Sequence, residues 1–465
     1  MSAARHLVLA AASALALVLP CVVAAGESHP DSMPIPPETH LSCYYDAFEQ
    51  SIVRPMTRAL DVSLLVRKLG GGRREAADLD AQDRVLLPST WWQPRIGFKP
   101  TSVEDMLTGA GPGTGPAPGS WTVVGAKTGG VSKGFTAKDA AGDRFAIKFD
   151  VPDDPELATG ADVVASKLYW AAGYNTPDNS IAFFRREDLV IAPDATRKVN
   201  GKKVPITPAF LDEVLRGVPR QPDGSYRVVA SRYRKGKPLG EWRYDGRRKG
   251  DQEDRIPHEL RREIRGLWAI NAWINHTDCS ARNTLDTYVN DGGRSFVRHH
   301  LIDFGACLGS ASIEAQPMRS GHEYWIDYQT IAWSLVTLAL PPFGWERSID
   351  PRLPGVGFIE AETFDPGAWR PYLPNPAFDA RTERDIRWGA RIVAAFTNEH
   401  IRAAVEQGRY SDPRATEYLV RVLEDRRDKI VRRWLGTPET AAARNSNDSD
   451  PHDSLILEHQ RTSPW

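Results

Sequence analysis

The sequence predicts an α+β fold, with strands gathered early in the chain and helices late, a segregation that separates this class from alternating βαβ chains. Three patterns carry the expectation. The runs 121–127, 135–138, 145–149 and 226–233 read as strands, the last with clear alternation. Arg261 to Ile274 is amphipathic at helical spacing, and Arg381 to Trp434 reads as two or three helices. Between these blocks Thr284 to Val289, the turn Asn290-Asp291-Gly292-Gly293 and Ser295 to Ile302 read as a hairpin.

The 465-residue chain opens on what reads as an export leader, residues 1–25: Arg5, an apolar run from Leu7 to Leu19, and Val23-Ala24-Ala25 before a cleavage point. That apolar run is too short to span a bilayer, and Ile331 to Leu340, stopped by Pro341-Pro342, is shorter still. The mature chain is therefore expected outside the cytoplasm, periplasmic or secreted, with no stable membrane span. Residues 26–119 read as an N-terminal extension: helices interrupted at Pro55, the aromatic Trp91-Trp92-Gln93-Pro94-Arg95, a capped short helix from Ser102, and a Gly/Pro linker from Gly109 to Gly119. Ser180 to Ala192 is strand-like, and a helix is expected from Thr207. Pro438 to Trp465 reads as a disordered tail.

Chemistry concentrates between His276 and Gly305. His276-Thr277-Asp278 with Asn283 five residues on, then Leu301-Ile302-Asp303-Phe304-Gly305 beyond the hairpin, reproduces the spacing H-x-D-x-x-x-x-N followed by D-F-G. Chance supplies such a pair in roughly one chain in ten thousand of this length. Phosphoryl transfer needs a carboxylate beside the attacking hydroxyl and oxygen ligands for a divalent cation; Asp278, Asn283 and Asp303 are those types at those offsets. Upstream, Gly129-Gly130-Val131-Ser132-Lys133-Gly134 is a glycine-containing turn between two strands, of the kind that lets backbone N–H groups approach phosphates. Lys148 closes the third strand as Phe145-Ala146-Ile147-Lys148. A helix is expected from about Pro155 to Gly173. Either Glu156 or Asp162 could turn a carboxylate to Lys148, while Thr159-Gly160-Ala161-Asp162 is equally a capping-box pattern that would keep Asp162 at the helix start.

On these motifs the chain resembles the protein-kinase-like superfamily, nearer its atypical bacterial and secretory-pathway branches, the HipA-like, spore-coat and Golgi-lumen kinases. The resemblance covers about Ser120 to Leu435. It implies a two-lobed fold with ATP in the cleft: a small antiparallel-sheet lobe with one helix at 120–240, onto which the extension packs, and a larger, mainly helical lobe at 241–437. The implied roles are Asp278 as catalytic base, Lys148 on the phosphates with Asp162 or Glu156 as its partner, Gly129, Gly130, Gly134 and Asp162 around the nucleotide, and Asn283 and Asp303 on Mg²⁺ or Mn²⁺. The chain also departs from the pattern. Thr277 stands where regulatory kinases carry an Arg, so switching through a phosphorylated activation loop is not expected; Ser280 stands in place of a Lys, and no A-P-E follows Gly305. Asp327 to Leu335 resembles the buried helix that anchors the catalytic loop.

Charge and cysteines add bounds. A net charge of −1 argues against nucleic acid as a partner. Arg216 to Arg265 nevertheless holds 15 Lys or Arg against 8 Asp or Glu, which fits either an attraction for acidic substrates or a solvated face. Cys279 and Cys307, close to the two motifs, are either a redox pair or buried thiols. Three rivals to phosphate transfer to an unidentified acceptor stand open: a metal-dependent hydrolase using Asp278, His276, His299 or His300, and Asp303; a binding scaffold on the same fold; and transfer of AMP from the same site.

Overall fold

The computed structural model describes residues 33–60, 74–127, 134–199, 201–338, 340 and 342–436. The leader, the tail and the glycines Gly129 and Gly130 lie outside the described residues.

A sheet lobe and a helical lobe make up the chain. Strands β1 (Trp121–Ala126), β2 (Gly134–Lys138), β3 (Arg144–Lys148), β4 (Asp178–Phe184), β5 (Leu189–Val199), β6 (Lys202–Pro205) and β7 (Tyr226–Arg232) form one sheet in the order β4-β7-β3-β2-β1-β5-β6. It is antiparallel except where β1 meets β5, a parallel pair. The expected strand 180–192 is in fact two, β4 and β5, separated by a 3₁₀ turn at Arg186–Asp188. Alternation decides the faces: Phe135, Phe145, Ile147, Phe184 and Val228 pack on Leu211 and Leu215 of a helix at Pro208–Arg216, whose first turn Thr207 caps.

The helical lobe is built on Arg262–Trp273, every residue of which is buried, and on Glu383–Ala394, Asn398–Glu406 and Pro413–Trp434. Numbered along the chain, the helices are α1 (Cys43–Phe48), α2 (Arg54–Leu60), α3 (Val103–Thr108), α4 (Leu157–Ala171), α5 (Pro208–Arg216), α6 (Arg262–Trp273), α7 (Tyr328–Thr337), α8 (Pro376–Ala380), α9 (Glu383–Ala394), α10 (Asn398–Glu406) and α11 (Pro413–Trp434). α6 and α9 approach so closely at Gly266 and Gly389 that a Cβ on Gly389 would stand 2.3 Å from the Gly266 carbonyl oxygen. Beside that crossing Asp385 forms an ion pair with Arg262, 2.7 Å from its Nε, and accepts from Arg265 at 3.2 Å, all three side chains enclosed. β9 (Thr284–Asp291) and β10 (Arg294–Leu301) form the hairpin, with β8 (Lys237–Gly240) alongside; Gly292 and Gly293 take φ of 60° and 84°, which a two-residue turn between twisted strands demands.

The extension packs on the sheet lobe through its linker, where the Gly113 N–H donates to Asp178 of β4 and Arg232 of β7 donates to the Gly115 carbonyl, and the segment before the linker runs along α4 into the helical lobe. Trp92 Nε1 donates to the Ala172 carbonyl, Arg95 to those of Trp170 and Tyr174, and the Gln93 N–H to Gly173, so these residues cap the C-terminal end of α4. Trp91, Trp92, Ile96 and Met106 join the core of the helical lobe because large aromatics bury most area there. A second tie joins the lobes at the other end of α4. Arg227 of β7 donates to the carbonyls of Gly408 and Arg409 and to the Thr159 hydroxyl, while Glu156 accepts from the Ser411 N–H at 2.8 Å.

α7 is helical as its pattern suggests, yet none of its side chains is buried: Trp333 is 53% and Val336 81% exposed. Asp327 caps it through the N–H groups of Gln329 and Thr330 and pairs with Arg370. The expected buried anchoring helix is therefore a surface helix, its apolar residues having been read as core. No helix among the described residues is long and apolar enough to cross a membrane.

Candidate active site

Lys148 sits on a central strand, opposite Gly134 of β2 and Val229 of β7. Its ammonium donates to Asp162 at 2.9 Å and to Asp303 at 2.8 Å. Burial alone would discharge this lysine, but the two carboxylates outweigh it and hold its pKa above the ordinary value.

Asp162 belongs to the second turn of α4, inside the helix and not at its start, because the N-terminal capping falls to Asp150. That side chain accepts from the Glu156 N–H, the Thr159 N–H at 2.8 Å and the Thr159 hydroxyl at 2.6 Å. Asp162 is thereby free to face the sheet, where Asn179 of β4 donates to its other oxygen at 2.7 Å and the Phe304 backbone N–H to the carboxylate. Burial raises its pKa while Lys148 opposes that rise. Glu156, the other candidate, is spent on Ser411.

Asp278 and Asn283 lie on the loop that leaves α6. Asn275 turns the chain at φ 51°, and the His276 N–H returns to the Asn271 carbonyl. Tyr169, seven residues along α4 from Asp162 and so on the same face, joins His276 Nδ1 and Asn271 through its hydroxyl, each at 2.6 Å. Burial keeps the His276 ring neutral, with its pKa lowered to about 4. Gln316 braces the loop from below, its amide reaching Asn275, Thr277 and the carbonyl of Ala306. Asn283 donates to the Asp278 carbonyl, and the Ile302 N–H donates to the Asn283 carbonyl at 3.0 Å. That last bond brings the two motif halves together and sets Asp303 beside Asn283, with Asp303 at φ 59° and Phe304 buried against Tyr169.

The electrostatics separate the two aspartates. Lys148 holds the Asp303 carboxyl below the usual range. Asp278 is exposed to solvent on one side, yet protein crowds its carboxyl; that crowding, helped by the Asp303 charge and opposed by Asn283, pushes it up to about 6. Asn283 and Asp303 offer hard oxygens on neighbouring backbone, a donor set that suits Mg²⁺ or Mn²⁺.

The structure decides among readings that the sequence left open. Cys279 and Cys307 are both buried free thiols, not a bridged pair, and burial raises the pKa of each. His299 pairs with Asp286 at 2.6 Å and stacks on Trp91, while His300 bonds Thr287. Neither faces Asp278, and no cluster of three or more metal-binding side chains occurs among the described residues, so the hydrolase centre does not assemble. Much of the cationic surplus between 216 and 265 is committed to structure: Arg232 meets Asp143, Arg243 meets Glu49, Arg248 meets Asp286, and Arg262 meets Asp83 and Asp385. Asn179, Asp150 and Gln316 went unnoticed in the sequence, where single polar residues far from a motif carry no pattern.

Strand lysine, helix carboxylate, a loop with Asp278 and Asn283, a hairpin and then Asp303, set between a sheet lobe and a helical lobe, make the fold protein-kinase-like. No protein-family model matches the sequence, and no curated protein is significantly similar to it. Among solved structures the chain is similar to the Helicobacter pylori proinflammatory kinase CtkA, at 10% identity over 67% of this chain and 94% of that one with a TM-score of 0.34. It is also similar to the Golgi casein kinase with Mn/ADP bound, at 9% identity over 70% and 75% with a TM-score of 0.32. Likenesses this loose assign no activity.

Proposed function

We propose that the chain is a phosphotransferase that uses Mg-ATP, or Mn-ATP, outside the cytoplasm. The observation that carries the proposal is Lys148 bonded at once to Asp162 of α4 and Asp303 after the hairpin, since pure scaffolding has no need of a buried lysine held between two carboxylates at the cleft. In this reading Lys148 grips the phosphates and Asp162 fixes its ammonium. Gly134, with Gly129 and Gly130, borders the nucleotide. Asn283 and Asp303 would hold the divalent cation, which when bound neutralises phosphate charge. Asp278 orients the acceptor hydroxyl and takes its proton as the acceptor oxygen bonds to the γ-phosphorus and the bond to the departing ADP breaks. The leader at residues 1–25 supports export.

The test supplies the mature chain with γ-labelled and α-labelled ATP and candidate acceptors. Movement of the γ label, reduced about a hundredfold or more by Asp278→Asn, is the expected result. Movement of the α label would replace the reading with AMP transfer, and Mg-ATP binding without movement of either label would leave a scaffold.

A further inference from the structure

The row of residues that contains Lys148 continues one strand further. Ala126, Phe135 and Ile147 stand opposite one another across β1, β2 and β3, and their side chains belong to the sheet's core face. One residue along, the Lys127 N–H donates to the Gly134 carbonyl at 3.3 Å, and Gly134 is opposite Lys148. Alternation therefore puts Lys127, Gly134 and Lys148 on the opposite face, the one that looks into the cleft. Gly134 has no side chain, and the stem of Lys127 lies over it: a Cβ there would stand 3.3 Å from Lys127 Cδ. The half-buried Lys127 ammonium lies within electrostatic reach of Lys148, Asp303 and Asp162; burial and Lys148 lower its pKa, and the two carboxylates oppose them.

We propose that Lys127 is a second phosphate-binding lysine, reaching across Gly134 to share the polyphosphate of the bound nucleotide with Lys148; this rests on the nucleotide reading above. Charge supplies the reason. Lys148 is already divided between two carboxylates, so Lys148, Asp162 and Asp303, before a cation joins Asp303, together carry one net negative charge that would repel a polyphosphate. Lys127 cancels that excess. Two neighbouring ammonium groups in a recess repel each other, and an anion between them removes that cost, so the gain should grow with the number of phosphates.

Equilibrium binding of the Mg²⁺ complexes of ATP, ADP and AMP to the mature chain, with Lys127→Met, Lys127→Gln and Lys127→Arg beside the wild type, tests this. The neutral variants are expected to weaken ATP about tenfold or more, ADP less, and AMP within about twofold, with Arg retaining most of the ATP affinity. Melting without nucleotide is read first; should Lys127→Met lower it, Lys127→Gln carries the comparison. Equal weakening of all three nucleotides, or none, overturns the role of Lys127 while leaving the nucleotide site intact. A wild type that binds none of them overturns the nucleotide reading itself and this inference with it.

Discussion

Asp278 and Asp303 are the same residue type at two ends of one hairpin, and their surroundings push them in opposite directions. Asp303 is kept ionised by Lys148. Asp278 is lifted to about 6, into the range where a base is both present and strong enough to matter. A base must be deprotonated to accept a proton, so transfer should rise as pH increases through about 6 and fall about tenfold per unit below it. The pH dependence of single-turnover transfer checks this, and in Asp278→Asn that limb should be gone; a profile flat from pH 5 to 7 in the wild type would remove Asp278 as the base. The spacing of Asp278, Asn283 and Asp303 was open to view in the sequence because the loop and hairpin that hold them are local. The choice between Asp162 and Glu156 was not, because it turned on Asp150, a residue before the helix that takes over its capping.

Elements were read best where period and punctuation agree. The start of α3 at Ser102 and of α5 at Thr207, and the strands β1 to β3, follow cap and alternation signals; α7 misled because an apolar run shows only that a helix has a greasy side, not that anything covers it. The crossing of α6 with α9 was invisible, since nothing in either stretch announces Gly266 against Gly389. Asp385 is the electrostatic centre of that crossing, and removing it takes a carboxylate from two buried guanidiniums, leaving Arg262 to Asp83 and buried Arg265 without this counter-charge. Asp385→Ala should therefore cost roughly 3–5 kcal/mol of stability, readable as a lower urea midpoint, whereas Glu383→Ala on the exposed side of the same helix should cost under about 1 kcal/mol. Similar losses for the two variants would mean that the buried network is not holding these helices together.

At the scale of the molecule, the division into a sheet lobe and a helical lobe follows from composition along the chain, but the course of residues 33–119 over both lobes does not, because it depends on which surfaces two other parts of the chain leave apolar. A ligand that binds only the folded form stabilises it by mass action. Mg-ATP at a hundred times its dissociation constant should add about 2.7 kcal/mol, seen as a higher melting temperature, and chelating the metal should remove most of that shift. Asp303→Ala should lose the shift while Asp278→Asn keeps it. No shift at millimolar Mg-ATP would count against the nucleotide site.

The tie between Arg227, Thr159, Gly408 and Arg409, with Glu156 on Ser411, has a consequence for timing. These bonds fasten the sheet lobe to the helical lobe through the first turn of the same helix that holds Asp162 against Lys148. The lobes therefore cannot part widely without loosening that turn. On the proposed nucleotide reading, passage of a nucleotide in or out would then require a small local unfolding event, and product release is expected to be slow and steeply temperature-dependent, with Arg227→Ala speeding it in a stopped-flow release measurement.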